Sequence, residues 1–63
     1  MKVLTAEKVK RLQTGTVVFA VKDSTGDRAL FLIVKSGRKK LLKGTIAEHE
    51  IKDLPGWHYE VFT

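Results

Sequence analysis

The chain has 63 residues, of which 43% are hydrophobic and 30% are charged, with no cysteine and a formal net charge of +5. This composition is typical of one small globular domain, over residues 1–63, and excludes a disordered chain, a disulfide-stapled scaffold and a thiolate zinc site. No stretch approaches the roughly 20 apolar residues that cross a bilayer, and the first residues lack the apolar run of a signal peptide. We therefore expect a cytoplasmic protein without a membrane partner.

A short helix is predicted at residues 5–13. Thr5 has the side chain of a helix N-cap, because its hydroxyl can accept a hydrogen bond from a free backbone N–H of the first turn. Leu4 and Val9 have the spacing of a hydrophobic staple around that cap. Gly15 suits the left-handed conformation that often follows a helix.

Three strands are predicted to follow as a β-meander. Residues 16–22 and 28–35 are rich in β-branched and aromatic side chains, which favour strands. The turn between them contains Gly26, which adopts positive φ without steric cost. Ser36 and Gly37 form a second tight turn, after which residues 38–43 return as the third strand.

Residues 45–54 are compatible with two structures. Thr45 and Glu48 match a capping box and the apolar positions after them match one helical face, so a short helix or helical turn is preferred. The alternative is a strand that begins near Gly44 and extends to Ile51. In both cases a turn at Pro55–Gly56 precedes a last strand at residues 57–62.

These elements predict an α+β, mainly β fold, with a short N-terminal helix and a twisted antiparallel sheet of four to five strands. By strand number and length the sheet is compatible with an SH3-like barrel. Residues 17–21 and 29–34 are apolar on both strand faces, so both faces need cover. That cover comes from barrel closure or the second helical segment in a monomer, or from a second copy in a homodimer.

A basic segment directly follows the apolar strand at residues 29–34. It has five cationic residues and no acidic residue: Lys35, Arg38, Lys39, Lys40 and Lys43. Residues 1–43 hold eleven Lys/Arg against three Asp/Glu, whereas residues 44–63 hold one against four. With Lys10 and Arg11 of the predicted helix, this segment is the candidate site for a phosphate backbone. The alternative is that the cations protect an edge strand and keep the protein soluble.

Stacking groups for bases are not evident in the sequence. Trp57, Tyr59 and Val61 alternate onto one strand face, which is typical of core positions, and Phe19 and Phe31 lie inside apolar runs. The sequence therefore favours binding through charge, with nucleic acid or another polyanion as the partner.

No catalytic, cofactor or metal site is predicted. His49 and His58 match no ligand or nucleophile motif, and Glu48 and Glu50 are interpreted as a solvated acidic face. The leading hypothesis is a small non-enzymatic binding module of the kind common in phage and bacterial genomes. The alternative is a homo-oligomeric assembly subunit that associates through its apolar strands.

Overall fold

The computed structural model describes residues 1–62 and is mainly β. In chain order the elements are β1 (Lys2–Leu4), α1 (Ala6–Val9), β2 (Val17–Lys22), β3 (Arg28–Ser36), β4 (Lys39–Lys43), β5 (Glu48–Glu50) and β6 (Trp57–Val61). The strands form one sheet in the order β1-β6-β2-β3-β4-β5, and every neighbouring pair is antiparallel.

The sheet is open rather than closed into a barrel, with β1 and β5 as its two edges among the described residues. The mainly β class is confirmed, but residues 1–62 form six strands where four to five were predicted. The unpredicted β1 pairs with the last strand, so that Lys2 lies opposite Val61. A strand of three residues is too short to show an alternating pattern in the sequence. Its partner, β6, lies near the other end of the chain, so no adjacent turn indicates the pairing.

The N-terminal helix is shorter than predicted. Thr5 is its N-cap, as expected, and its hydroxyl accepts from the backbone N–H of Lys8 at 3.4 Å. The predicted end at residue 13 is wrong, because α1 ends at Val9 and the chain then tightens into turns. The N–H of Leu12, for example, donates to the Val9 carbonyl three residues back.

The meander of β2, β3 and β4 is confirmed. Gly26 and Gly37 occupy its two turns with φ of +76° and +62°, a conformation that favours glycine. The pairing places Ile33 opposite Leu42. The predicted last strand is also confirmed as β6.

The preferred helix at residues 45–54 is wrong, and the alternative strand is closer to the structure. Glu48–Glu50 form β5, whose His49 lies opposite Leu42 of β4. A hydrogen bond of 3.0 Å from the Gly44 N–H to the Ala47 carbonyl closes the turn between them. Strand pairing satisfies backbone groups along the outer side of β4, which a helix in this segment would leave to water.

The two faces of the sheet differ in their cover. One face, called the covered face, packs against α1 and the chain around Ile51. Its buried cluster is Leu4, Ala6, Val9, Val18, Ile33, Leu42, Ile51, Tyr59 and Val61. The opposite face, called the open face, leaves large apolar side chains in solvent, including Val3, Leu30, Leu32 and Phe62. On the open face, Val21 is buried opposite Arg28. The strands that are apolar on both sides therefore bury one side within the chain and leave most of the other side partly or fully exposed.

Within residues 1–62, no helix has the length and hydrophobicity needed to cross a lipid bilayer. The one helix of this part of the chain, α1, has four residues.

Candidate nucleic-acid interface

A cleft of about 430 Å³ lies where the end of α1 meets the hairpin of β3 and β4. Five cationic residues line it: Lys10, Arg38, Lys39, Lys40 and Lys52. We call this surface the basic cleft. Its cations come from three separate segments of the chain, so their convergence is a property of the fold rather than of one charged run.

The local structure explains why the hairpin reaches the cleft. Gly37 turns the chain, and Lys39 then starts β4 opposite Ser36. The Lys40 ammonium donates to the backbone carbonyl of Leu12 at 2.6 Å. That carbonyl lies in the turns that follow α1. Lys40 therefore holds the hairpin against the N-terminal segment.

The other cations of the basic cleft have no ion-pair partner among the described residues. Arg38 and Lys39 are both exposed, as are Lys10 and Lys52. Among residues 1–62, Glu50 is the one acidic residue that lines the cleft. The cleft therefore has an excess of positive charge that no ion pair among the described residues neutralises.

Three predicted site residues lie outside the cleft lining. Lys35 lies opposite Lys40 in the register, Lys43 lies opposite Glu48, and Arg11 forms an ion pair of 3.4 Å with Glu7. The structure therefore brings together Lys10, Arg38, Lys39 and Lys40 of the predicted set and separates the rest.

Lys52 is the cleft residue that the sequence interpretation missed. The helix predicted for residues 45–54 did not indicate where Lys52 would lie relative to the hairpin of β3 and β4. In the structure, buried Ile51 anchors the chain in the core and leaves Lys52 exposed beside the cleft. The sequence signal for this position of Lys52 is the apolar Ile51 directly before it. An apolar residue next to a cation is common in sequences, so this signal is not specific.

A second cavity, of about 490 Å³, adjoins the basic cleft and shares Glu50 and Lys52 with it. We call it the aromatic pocket. Its lining is Ala20, Ala29, Phe31, Leu42, Glu48, His49, Glu50, Lys52, Leu54, Trp57 and Tyr59. The pocket lies on the covered face, at the part that α1 does not reach.

The expectation that Trp57 belongs to the core is wrong. Tyr59 and Val61 are buried as predicted, but Trp57 is 39% exposed at the start of β6. The Tyr59 hydroxyl donates to the Lys52 carbonyl at 2.7 Å, so its ring is fixed as one wall of the pocket. Trp57 and Tyr59 therefore form an aromatic surface, which the alternating pattern of the sequence did not predict.

A separate polar network lies on the open face and includes His58. The ring nitrogens of His58 face Asp23 and, at 2.6 Å, Glu60, while Arg28 lies 3.1 Å from Glu60. The pKa of His58 is raised by its hydrogen bonds to Glu60 and then Asp23, and the pKa of Glu60 is lowered, chiefly by its bond to His58.

The His58 network has the character of an ion-pair network. Across residues 1–62, no hydroxyl group is hydrogen-bonded to the His58 ring, which a nucleophile–base pair requires. In the same range, no group of three or more His, Asp or Glu side chains is placed to hold a metal ion.

Comparisons of the chain with protein-family models, curated protein sequences and solved structures find no match. Function is therefore inferred from the geometry and charge of the basic cleft and the aromatic pocket.

Proposed function

We propose that this protein is a non-enzymatic binding module that holds a nucleic-acid strand by its phosphates in the basic cleft. The observation that supports the proposal is the convergence of Lys10, Arg38, Lys39 and Lys52 from three segments. Arg38 supplies a planar fork that matches a phosphate, and the lysines act as point charges.

The charge of the cleft sets the expected salt dependence. Lys40 is already bonded to Leu12, so four cations remain for phosphate contacts. Each neutralised phosphate releases counterions and contributes about −0.7 to the slope of log affinity against log salt for a single strand. A full set of contacts then gives a slope of about −3.

The test compares two double variants that remove equal charge. Arg38→Ser/Lys39→Ser removes two cations from the cleft lining. Lys2→Ser/Lys8→Ser removes two cations from β1 and α1, outside that lining. Lys40 is left in place because its bond to Leu12 is structural. Binding of a labelled oligonucleotide is measured by fluorescence anisotropy at several salt concentrations.

We expect the cleft variant to lose at least tenfold in affinity and about two phosphate contacts from the salt slope. The control variant should keep the slope and lose only a small factor. Equal losses in both variants would mean that net charge alone attracts the strand, and the cleft would then have no specific role.

A second function, self-association, is favoured by the open face. Leu30 is 55% exposed and Phe62 is 72% exposed, and Val3 and Leu32 extend the same apolar surface. The two longer dimensions of the molecule are 34 and 25 Å. A face of these dimensions is large enough for a standard interface, which buries about 800 Å² per partner. A second copy is the occupant we propose, since a two-fold dimer pairs one patch with itself.

The charges of the open face are compatible with such a dimer. Arg28 is paired with Glu60, and Lys43 lies opposite Glu48. If a second copy packs on the apolar side chains of the open face, each of these charges keeps an oppositely charged neighbour. No single unpaired charge is then buried in the interface.

Sedimentation velocity tests the dimer at high micromolar concentration and in high salt, which does not weaken apolar burial. We expect a dimer that Leu30→Asp converts to a monomer, while Gln13→Asp, an exposed change outside the sheet, leaves the dimer intact. A monomeric wild-type protein under these conditions would contradict self-association.

A further inference from the structure

We infer that the aromatic pocket receives one unpaired base of the strand whose phosphates lie in the basic cleft, so that the ligand is single-stranded nucleic acid. This inference rests on the proposed function, and it names the class of nucleic acid that the same surface would take.

The first support is that the two cavities are adjacent. Glu50 and Lys52 line both cavities and therefore lie between the positive surface and the aromatic one. Nucleotides alternate phosphate and base along a strand. A strand with a phosphate beside Lys52 therefore presents an adjacent base at the mouth of the pocket.

The second support is the chemistry of the pocket walls. Phe31, Trp57 and Tyr59 provide ring surfaces, and Leu42 and Leu54 add apolar contact. Stacking of a base on an aromatic side chain contributes about 1–3 kcal/mol and tolerates any base, because every base has a π-face. The volume of about 490 Å³ is within the usual range of small-ligand sites.

The third support is that two of the three aromatic walls, Phe31 and Tyr59, are held in place before any ligand binds. The Tyr59 hydroxyl is bonded to Lys52, and the Phe31 ring meets His49 edge to face with centroids 5.4 Å apart. Phe31 also lies against Gly44, where a Cβ atom would come within 2.9 Å of the ring. These two rings therefore lose little entropy when a base enters.

Duplex nucleic acid cannot use this pocket without losing a base pair. A base inside a helix is stacked and paired, and its removal requires a few kcal/mol. A duplex would therefore bind through the cleft alone, and a single strand of equal length would bind more tightly.

The experiment uses the fluorescence of Trp57, since the chain has one tryptophan. The wild-type protein is titrated with a single-stranded oligothymidylate, a duplex of the same length and inorganic polyphosphate of similar charge. Binding of each is measured independently by competition with a labelled strand. We expect all three to compete, and only the single strand to quench Trp57 strongly.

Two variants provide a second measurement. Trp57→Ala should lower the ratio of single-strand affinity to polyphosphate affinity about tenfold, which is the loss of one stacking contact. Trp57→Phe keeps a ring and should retain most of that ratio. The cleft variant Arg38→Ser/Lys39→Ser should lower the affinity for both ligands together.

The outcomes separate the two proposals. If polyphosphate quenches Trp57 as strongly as the single strand does, or if the single strand binds without quenching, the pocket holds no base and only the cleft remains. If none of the three polyanions binds, the proposed function fails as well. The wild-type titration decides the question even if Trp57→Ala does not fold.

Discussion

Asp53 accepts a hydrogen bond of 3.0 Å from the backbone N–H of Ala6, 47 positions away in the chain. This bond joins the segment after β5 to the start of α1. The Tyr59 hydroxyl holds the neighbouring carbonyl of Lys52 from the sheet side. Together the two bonds fix Lys52 between the basic cleft and the aromatic pocket.

Removal of the Asp53 carboxylate should destabilise the fold. Asp53→Ala leaves a helix N–H without its acceptor, and losses of this kind lower the free energy of unfolding by about 1 kcal/mol. Asp53→Asn keeps an acceptor oxygen and should lose less. Urea unfolding followed by Trp57 fluorescence measures both variants. Equal losses in the two would contradict the role of the hydrogen bond.

Neutralisation of Glu50 should strengthen binding of a polyanion. Glu50 lines the basic cleft, and an exposed charge contributes about 0.2–1 kcal/mol to a neighbouring interaction. Glu50→Gln should therefore raise affinity by up to about fivefold at low salt. The matched control is Asp27→Asn, which removes one negative charge from the turn between β2 and β3, outside the lining of both the basic cleft and the aromatic pocket. An equal gain in both variants would indicate a general charge effect.

Two residues of β3 test the assignment of the sheet faces. Ile33 is fully buried, whereas Leu30 is 55% exposed on the opposite face. Ile33→Ala should lower the free energy of unfolding by about 2–5 kcal/mol. Leu30→Ala should lower it by less than about 0.5 kcal/mol in a monomer. Thermal unfolding at several protein concentrations measures both, and a large, concentration-dependent loss for Leu30→Ala would indicate the dimer.

Local patterns were sufficient to predict the meander and the helix cap. The turns at Gly26 and Gly37 need positive φ, and the strands around them are rich in β-branched residues, so the prediction required no distant contact. The same reasoning found Thr5, because an N-cap is satisfied within one helical turn.

Elements that depend on distant pairing were not predictable. Residues 48–50 match a helix pattern locally, yet they form a strand because β4 offers its free edge. The site shows the same dependence on distant contacts. Lys10, Arg38 and Lys39 were predicted from charge, but the position of Lys52 depends on the burial of Ile51 beside it. Trp57 was assigned to the core because alternation shows which face a side chain occupies but not how far the cover on that face extends.

The His58 network should make stability depend on pH in a defined window. Both ring nitrogens of His58 face carboxylates, so the doubly protonated ring donates to Glu60 and Asp23 at once. The pKa of His58 is raised above its ordinary value of 6.5, so this stabilisation is complete below that value and is lost as pH rises through the raised pKa. The pKa of Glu60 is lowered from 4.5, so its contribution is present above 4.5 and is lost as pH falls through the lowered pKa.

The network should therefore contribute most between pH 4.5 and 6.5, the ordinary pKa values of its two titrating partners. NMR titration of the His58 ring protons should give a midpoint above 6.5. Glu60→Gln should lower that midpoint more than Asp23→Asn does, because the Glu60 hydrogen bond is the larger cause of the shift. A wild-type midpoint at or below 6.5, or one that Glu60→Gln leaves unchanged, would show that the ring is not held between the two carboxylates in solution.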